Sequence, residues 1–320
     1  MDINLISRAM TKKSLALNIT DICNFKCKTC LREYDKSSSL DPDLLDRILP
    51  DARKVGYSMA GLTGGEPCLH PEFSRIADTL VNHGFPFNIT SNGSLPEKYL
   101  FLLEKPYSKC FYLINFSLDG ATAEVNDDIR HPGSFDKVIE SIRLFTQKGI
   151  PVVPNVTLTR KNKHQLEEII DLVESLGLKE VMVGTAIETP LNSSVVLTDL
   201  EKYDCLKRLN SKKRTAAVSI YPGAPLITSP GVDMCIGVAT LSSFMINPNG
   251  EAVFCCNTIH KGAAVGSLEQ ESFRDLYQKA IDVSGFLKKK RTEMLVAGKQ
   301  TEPGFNSCEF CNRYLADMIR

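Results

Sequence analysis

Cys23, Cys27 and Cys30 stand in the spacing C-x3-C-x2-C within one short stretch of chain. Three thiolates this close do not complete a closed structural zinc site, which takes four ligands. They can hold three irons of a cubane cluster and leave the fourth iron open to a ligand. The competing reading of the triplet is zinc with a fourth ligand from elsewhere in the chain. Further along, Thr63-Gly64-Gly65-Glu66-Pro67 joins two glycines, which let backbone approach a ligand closely, to a carboxylate suited to an ammonium group.

With both motifs in hand, the sequence resembles the radical S-adenosylmethionine (SAM) enzymes, and the resemblance covers nearly the whole chain. It implies a 4Fe-4S cluster on Cys23, Cys27 and Cys30, with SAM chelating the open iron and its amino group held by Gly64, Gly65 and Glu66. Thr90-Ser91-Asn92-Gly93 and Ser117-Leu118-Asp119-Gly120 look like the family's ribose and carboxylate contacts, through Ser91, Asn92, Ser117 and Asp119. Arg130 resembles the basic residue used on the SAM carboxylate. The plainer reading of the Ser, Asn and Asp residues is turn formation beside glycine. One departure is Thr29, where the family usually places an aromatic residue against the adenine.

A second set of cysteines lies near the C-terminus: Cys235, the adjacent Cys255 and Cys256, then Cys308 and Cys311. Cys235, fourteen residues, Gly250, four residues and Cys255 resemble the opening of the SPASM and twitch extensions of the family. No further cysteine follows Cys311, so the resemblance implies the shorter twitch form, with one auxiliary 4Fe-4S cluster on Cys235, Cys255, Cys308 and Cys311. Structural zinc is the alternative for these four. Cys256 is then spare. It is either a hydrogen-atom donor to a substrate radical, as in some peptide epimerases resembling this architecture, or buried packing. Cys68, Cys110 and Cys205 have no partner spacing and read as core residues, with Cys68 close enough to Glu66 to face a cavity; the five histidines show no ligand spacing.

These residues need a scaffold, and its pattern is regular. Apolar, β-prone runs occur at 15–20, 57–63, 87–92, 112–118, 152–158 and 180–185, each followed by a segment of helical periodicity. Helices are expected after Asp41-Pro42, over 71–80, over 134–147, over 164–176 with Gly177 as a stop, and over 198–210. Six strand-helix units imply a parallel sheet covered by helices, too few for a closed eight-stranded barrel. The expected fold is therefore α/β, a partial (β/α)6 TIM-like barrel over 1–225, with a small C-terminal α+β twitch/SPASM-like iron-sulfur domain over 226–320. The boundary is set in the Pro- and Gly-rich run 221–231. Asn249-Gly250 between two β-prone runs predicts a hairpin. The basic run 288–291 reads as a solvated helix face, or else as a docking patch for an acidic redox partner.

Composition narrows the function. Lys plus Arg and Asp plus Glu are 38 each, so no overall field favours a polyanion or an anionic membrane, and neither nucleic acid nor membrane is expected as a partner. The N-terminus lacks the apolar core of a secretion signal, and no run reaches the roughly 20 apolar residues of a membrane span. A cytoplasmic location is expected, where 11 cysteines point to metal or redox chemistry rather than disulfides. The resemblance implies a 5'-deoxyadenosyl radical that abstracts a hydrogen atom, and a flavodoxin or ferredoxin-type electron donor. The expected substrate is a ribosomally made peptide, epimerised, oxidised or cross-linked; the alternative is an amino sugar or other small metabolite. Only 22 residues precede Cys23, too few for a fused peptide-recognition domain. A zinc-binding interaction protein is the reading from another class.

Overall fold

The structure is a computed structural model that describes residues 12–31, 36–189, 192–223, 226, 235–255, 264–299, 310–311 and 313–315. One ten-stranded sheet runs through it. In chain order its strands are β1 (Lys13–Thr20), β2 (Tyr57–Gly64), β3 (Phe87–Ser91), β4 (Phe111–Ser117), β5 (Val152–Leu158), β6 (Glu180–Thr185), β7 (Ser219–Pro222), β8 (Ser243–Ile246), β9 (Glu251–Val253) and β10 (Ala264–Ser267). The spatial order is β10-β9-β8-β1-β2-β3-β4-β5-β6-β7, with β1 to β7 all parallel.

The α-helices, in chain order, are α1 (Pro42–Lys54), α2 (Phe73–Asn82), α3 (Ala123–Ile129), α4 (Ser134–Gln147), α5 (Leu166–Ser175), α6 (Asp199–Lys212), α7 (Ile236–Thr240) and α8 (Phe273–Val296). Their ends follow local chemistry. Asp41 caps α1 by accepting from the Asp43 N–H, with Pro42 at the first helical position, where its missing N–H costs nothing. Thr198 and Glu201 close a reciprocal capping box on α6. Strand residues alternate faces, so Leu15, Leu17 and Ile19 of β1 are wholly buried in the core while Ala16 and Asn18 take the opposite face.

All six expected strands appear and five of them are followed by an α-helix, whereas β3 is followed only by 3-10 turns over Pro96–Leu103 and Tyr107–Lys109. The Asn249-Gly250 turn joins β8 to the antiparallel β9. Three further features differ from the sequence expectation. A seventh parallel strand, β7, includes Tyr221 and Pro222 at the start of the Pro-Gly run and covers the β6 edge; proline is tolerated there because an edge strand needs no N–H on its free side. Helix α3 also escapes the pattern, being a short turn capped by Thr122. Finally, the hairpin does not build a separate sheet. Strand β8 pairs in parallel with β1, so Ala16 lies between Gly61 and Met245. Aromatic packing fastens this join: Tyr57 is fully buried against Phe244 and Phe273, its hydroxyl donates to the Leu241 carbonyl at 2.8 Å, and Lys13 Nζ donates to the Tyr277 hydroxyl at 2.7 Å. Among the described residues no helix is long and apolar enough to cross a membrane.

Candidate active site

The loop after β1 carries Cys23, Cys27 and Cys30, all half-buried. It is stitched to the loop after β2 by two backbone bonds, Gly65 N to Thr20 O at 2.6 Å and Glu66 N to Ile22 O at 2.8 Å. This contact explains the two glycines more directly than approach to a ligand. A Cβ at Gly65 would fall 2.1 Å from the Ile22 carbonyl oxygen. One at Gly64, whose φ is +139°, would fall 2.4 Å from the Thr20 oxygen. The glycines let one loop lie flat against the other.

Glu66 is fully buried, and its carboxylate gathers the neighbouring loops. One oxygen accepts from the Ser91 hydroxyl at 2.8 Å, from the Tyr99 hydroxyl and from the Cys68 thiol at 3.6 Å; the other accepts from the Asn92 N–H at 2.8 Å. Burial pushes the carboxyl above its usual range, while the donated bonds pull against that. Asn92 in turn donates from Nδ2 to Asn24 at 3.0 Å and lies 3.9 Å from the Cys23 sulfur. Ser94 accepts from Asn24 Nδ2 at 2.8 Å. Thus Ser91 and Asn92, expected to face SAM, also brace Glu66 and the cysteine loop.

Asp119 is buried to 0% exposure and Arg130 to 10%. Arg130 Nε lies 2.8 Å from Asp119 Oδ2, a Coulombic contact off the line of a good hydrogen bond. The other Asp119 oxygen accepts from the Thr157 N–H at 2.7 Å. Burial pushes the Asp119 carboxyl up and Arg130 opposes it. Ser117 is half-buried at the end of β4, beside Asn155 of β5.

The Cys27 thiol is pushed up to about 11, first by burial, with Arg130 opposing and with Cys30, Asp119 and Cys23 adding to the rise. Among the described residues no three ligating side chains converge on one point. Three soft thiols on one loop nevertheless fit three irons of a cubane by the chemistry of the donor set.

The structure places Cys235 at the start of α7, Cys255 just after β9 and Cys311 in the short C-terminal helical turn. The first two are half-buried and Cys311 is buried. Cys256 and Cys308 lie outside the described residues. Cys205 is fully buried, as expected of a core residue. Arg291 departs from the solvated face expected of the basic run: it is 2% exposed, with its guanidinium 5.4 Å from the Phe310 ring centre, next to Cys311. Sequence reasoning missed Tyr99, Asn24 and Ser94, whose roles depend on folding; only the turn-forming Asn92-Gly93-Ser94 was a signal for any of them.

The chain is similar to known proteins in sequence and in fold. The family model described as the radical SAM superfamily matches residues 17–173. Mycofactocin maturase MftC of Mycobacterium tuberculosis is 28% identical over 283 residues, covering 82% of this chain and 70% of the maturase. A probable GTP 3',8-cyclase of Saccharolobus solfataricus is 25% identical over 295 residues, covering 88% of this chain and 89% of the cyclase. Streptococcus suis SuiB bound to S-adenosylmethionine superposes with a TM-score of 0.69 at 18% identity, over 83% of this chain. The chain spans 65% of SuiB's length.

Proposed function

The chain belongs to the radical SAM superfamily, and from that premise we propose that it matures a peptide by radical chemistry, with epimerisation, oxidation or cross-linking as the outcome. The observation that carries this reading is the match to a maturase, which extends beyond the barrel over 82% of the chain. A structure of SuiB bound to precursor peptide SuiA shares the fold, with a TM-score of 0.67. A second reading, a small-metabolite substrate such as an amino sugar, draws support from the equally broad match to a cyclase named for GTP. The family assignment sets aside the zinc-binding interaction protein for the N-terminal triplet.

In this proposal Cys23, Cys27 and Cys30 hold a 4Fe-4S cluster, and Gly64, Gly65, Glu66, Ser91, Asn92, Ser117, Asp119 and Arg130 surround SAM. A cluster and SAM held there would supply radical chemistry for removing a hydrogen atom from the substrate. The chain's own contribution is to bind and orient. Glu66 ties three loops together, Arg130 offers a fixed positive charge, and the strand faces with Asn18 and Asn155 enclose the reacting groups away from water. Cys235, Cys255, Cys308 and Cys311 are proposed to carry an auxiliary 4Fe-4S cluster, with Cys256 free to return a hydrogen atom. A flavodoxin or ferredoxin-type protein would deliver the electron.

The test is co-expression with a candidate precursor peptide in deuterated water, followed by mass measurement. A gain of one deuterium per site marks epimerisation, and loss of two hydrogens marks oxidation or cross-linking. An unmodified peptide overturns the peptide reading in favour of the small metabolite.

A further inference from the structure

Strands β1 to β5 turn a polar face away from the hydrophobic core. In the register of neighbouring strands Asn18 stands beside Thr63 and Thr90 beside Asn115; Asn155 stands beside Ser117, the next residue of β4 on the same face. Leu62 pairs with Ile89, so Thr63 and Thr90 fall in step and join the two halves of the row. The residues between, Leu62, Ile89, Phe116 and Val156 among them, belong to the core. Parallel strands in a barrel ordinarily fill the face opposite their helices with bulky branched apolar side chains. This face is filled with amides and hydroxyls instead.

Buried polar groups in a folded chain find hydrogen-bond partners. Among the described residues these six side chains find none. Asn18 is 7% exposed and Asn115 8%, and Asn18 Oδ1 is closed off from solvent without a donor. That oxygen lies 2.5 Å from where a Cβ at Gly64 would stand, so the row runs up to the Gly-Gly-Glu-Pro turn. There is also space beside it. Gly184 shares the face through its partner Thr157, and a Cβ there would meet nothing within 4 Å.

Charge narrows the occupant. Among the described residues of β1 to β6 this face carries no lysine or arginine, and its one charged side chain is Glu180 at the start of β6, which accepts from the Tyr221 hydroxyl at 3.2 Å. Arg130 comes already paired with Asp119. A phosphate ester would give up its water here and gain no cation. A carboxamide has a donor and an acceptor side by side, the same two groups that a peptide unit presents, so Asn115 and Asn155 can each satisfy an amide on both counts.

We infer that this face binds the substrate and, through Asn115 and Asn155, selects an uncharged amide, as peptide backbone or a carboxamide side chain, over phosphate-bearing compounds. This rests on the peptide-maturation reading above and gives it a recognition surface.

The experiment is anaerobic affinity selection on the reconstituted full chain with SAM. The probe is an equimolar pool of N-acetylated tetrapeptide amides of neutral residues, nucleoside triphosphates and sugar phosphates; retained compounds are identified by mass after rapid gel filtration. Wild type should retain the peptide amides at least about tenfold over the phosphates, and Asn115→Leu and Asn155→Leu should each cut that retention at least about fivefold. Gly184→Leu, which fills the space without removing a hydrogen-bonding group, should cut it as well. Iron content and SAM binding should stay at the wild-type level in all three, and a variant that loses iron leaves the decision to the others. Amides retained equally by wild type and variants overturn the inference and leave the peptide reading intact. Preferential retention of the phosphates overturns both. A wild type that retains no member of the pool, or loss of iron in all three variants, overturns the inference, while the co-expression experiment still judges the peptide reading.

Discussion

The phenol of Tyr99 donates a hydrogen bond to the carboxylate of Glu66 from 33 positions away, with both side chains wholly buried. Tyr99 also accepts from the Cys68 N–H at 3.2 Å, so one hydroxyl joins the turn after β2 to the turn after β3. Tyr99→Phe keeps the ring and removes both bonds. The expected cost is about 1–3 kcal/mol, seen as a fall of a few degrees in anaerobic thermal unfolding. Iron content should not change. A variant as stable as wild type would show that Glu66 does not depend on this donor.

Gly65→Ala tests the contact between the two loops. Its Cβ would meet backbone, 2.1 Å from the Ile22 oxygen and 2.6 Å from the Ile22 carbon, so no side chain can move aside. The variant should lose the N-terminal cluster and hold only the auxiliary iron, about four atoms per chain. Gly184→Ala is the control, because nothing lies within 4 Å of a Cβ there. Equal iron in both variants would refute the close-contact explanation.

The protein reconstituted without oxygen should be brown and carry about eight irons as two cubanes, falling to about four when Cys23, Cys27 and Cys30 are replaced by Ala. Iron and acid-labile sulfide assays decide this. Zinc in place of iron would count against the whole cofactor assignment.

Cys256→Ser should leave iron content unchanged if Cys235, Cys255, Cys308 and Cys311 are the four auxiliary ligands. Where the product is an epimer, the same substitution should abolish deuterium incorporation. Loss of the auxiliary iron would instead make Cys256 a ligand.

Acid unfolding offers a check far from the site. Glu201 is held down to about 2 by the Lys163 ammonium first, then by the Thr198 N–H, against a usual value of 4.5. Its folded-state value lies below the unfolded one, so its stabilisation is fully present above about pH 4.5 and disappears as pH falls toward about 2. Because the side chain is only partly covered, the effect is screened and modest. Wild type should outlast Glu201→Gln at neutral pH and lose that advantage across this window. A constant difference down to pH 2 would contradict the assignment.

The C-x3-C-x2-C triplet, the Gly-Gly-Glu-Pro turn and six β-prone runs were legible in the chain because each is a local pattern. Thiol spacing limits what a loop can ligate, and alternating burial marks a strand whatever it packs against. Strands β5 and β6 were placed at their exact bounds. What only the tertiary structure decided are relations between distant segments. These include Tyr99 under Glu66, β8 beside β1, and the burial of Arg291 on Phe310. No periodicity encodes such pairings, because each depends on which loops the parallel strand order brings to the same end of the sheet. The two glycines show the division most clearly. The sequence announced that backbone must pass closely at Gly64 and Gly65, and the fold determined that what passes there is the cysteine loop itself.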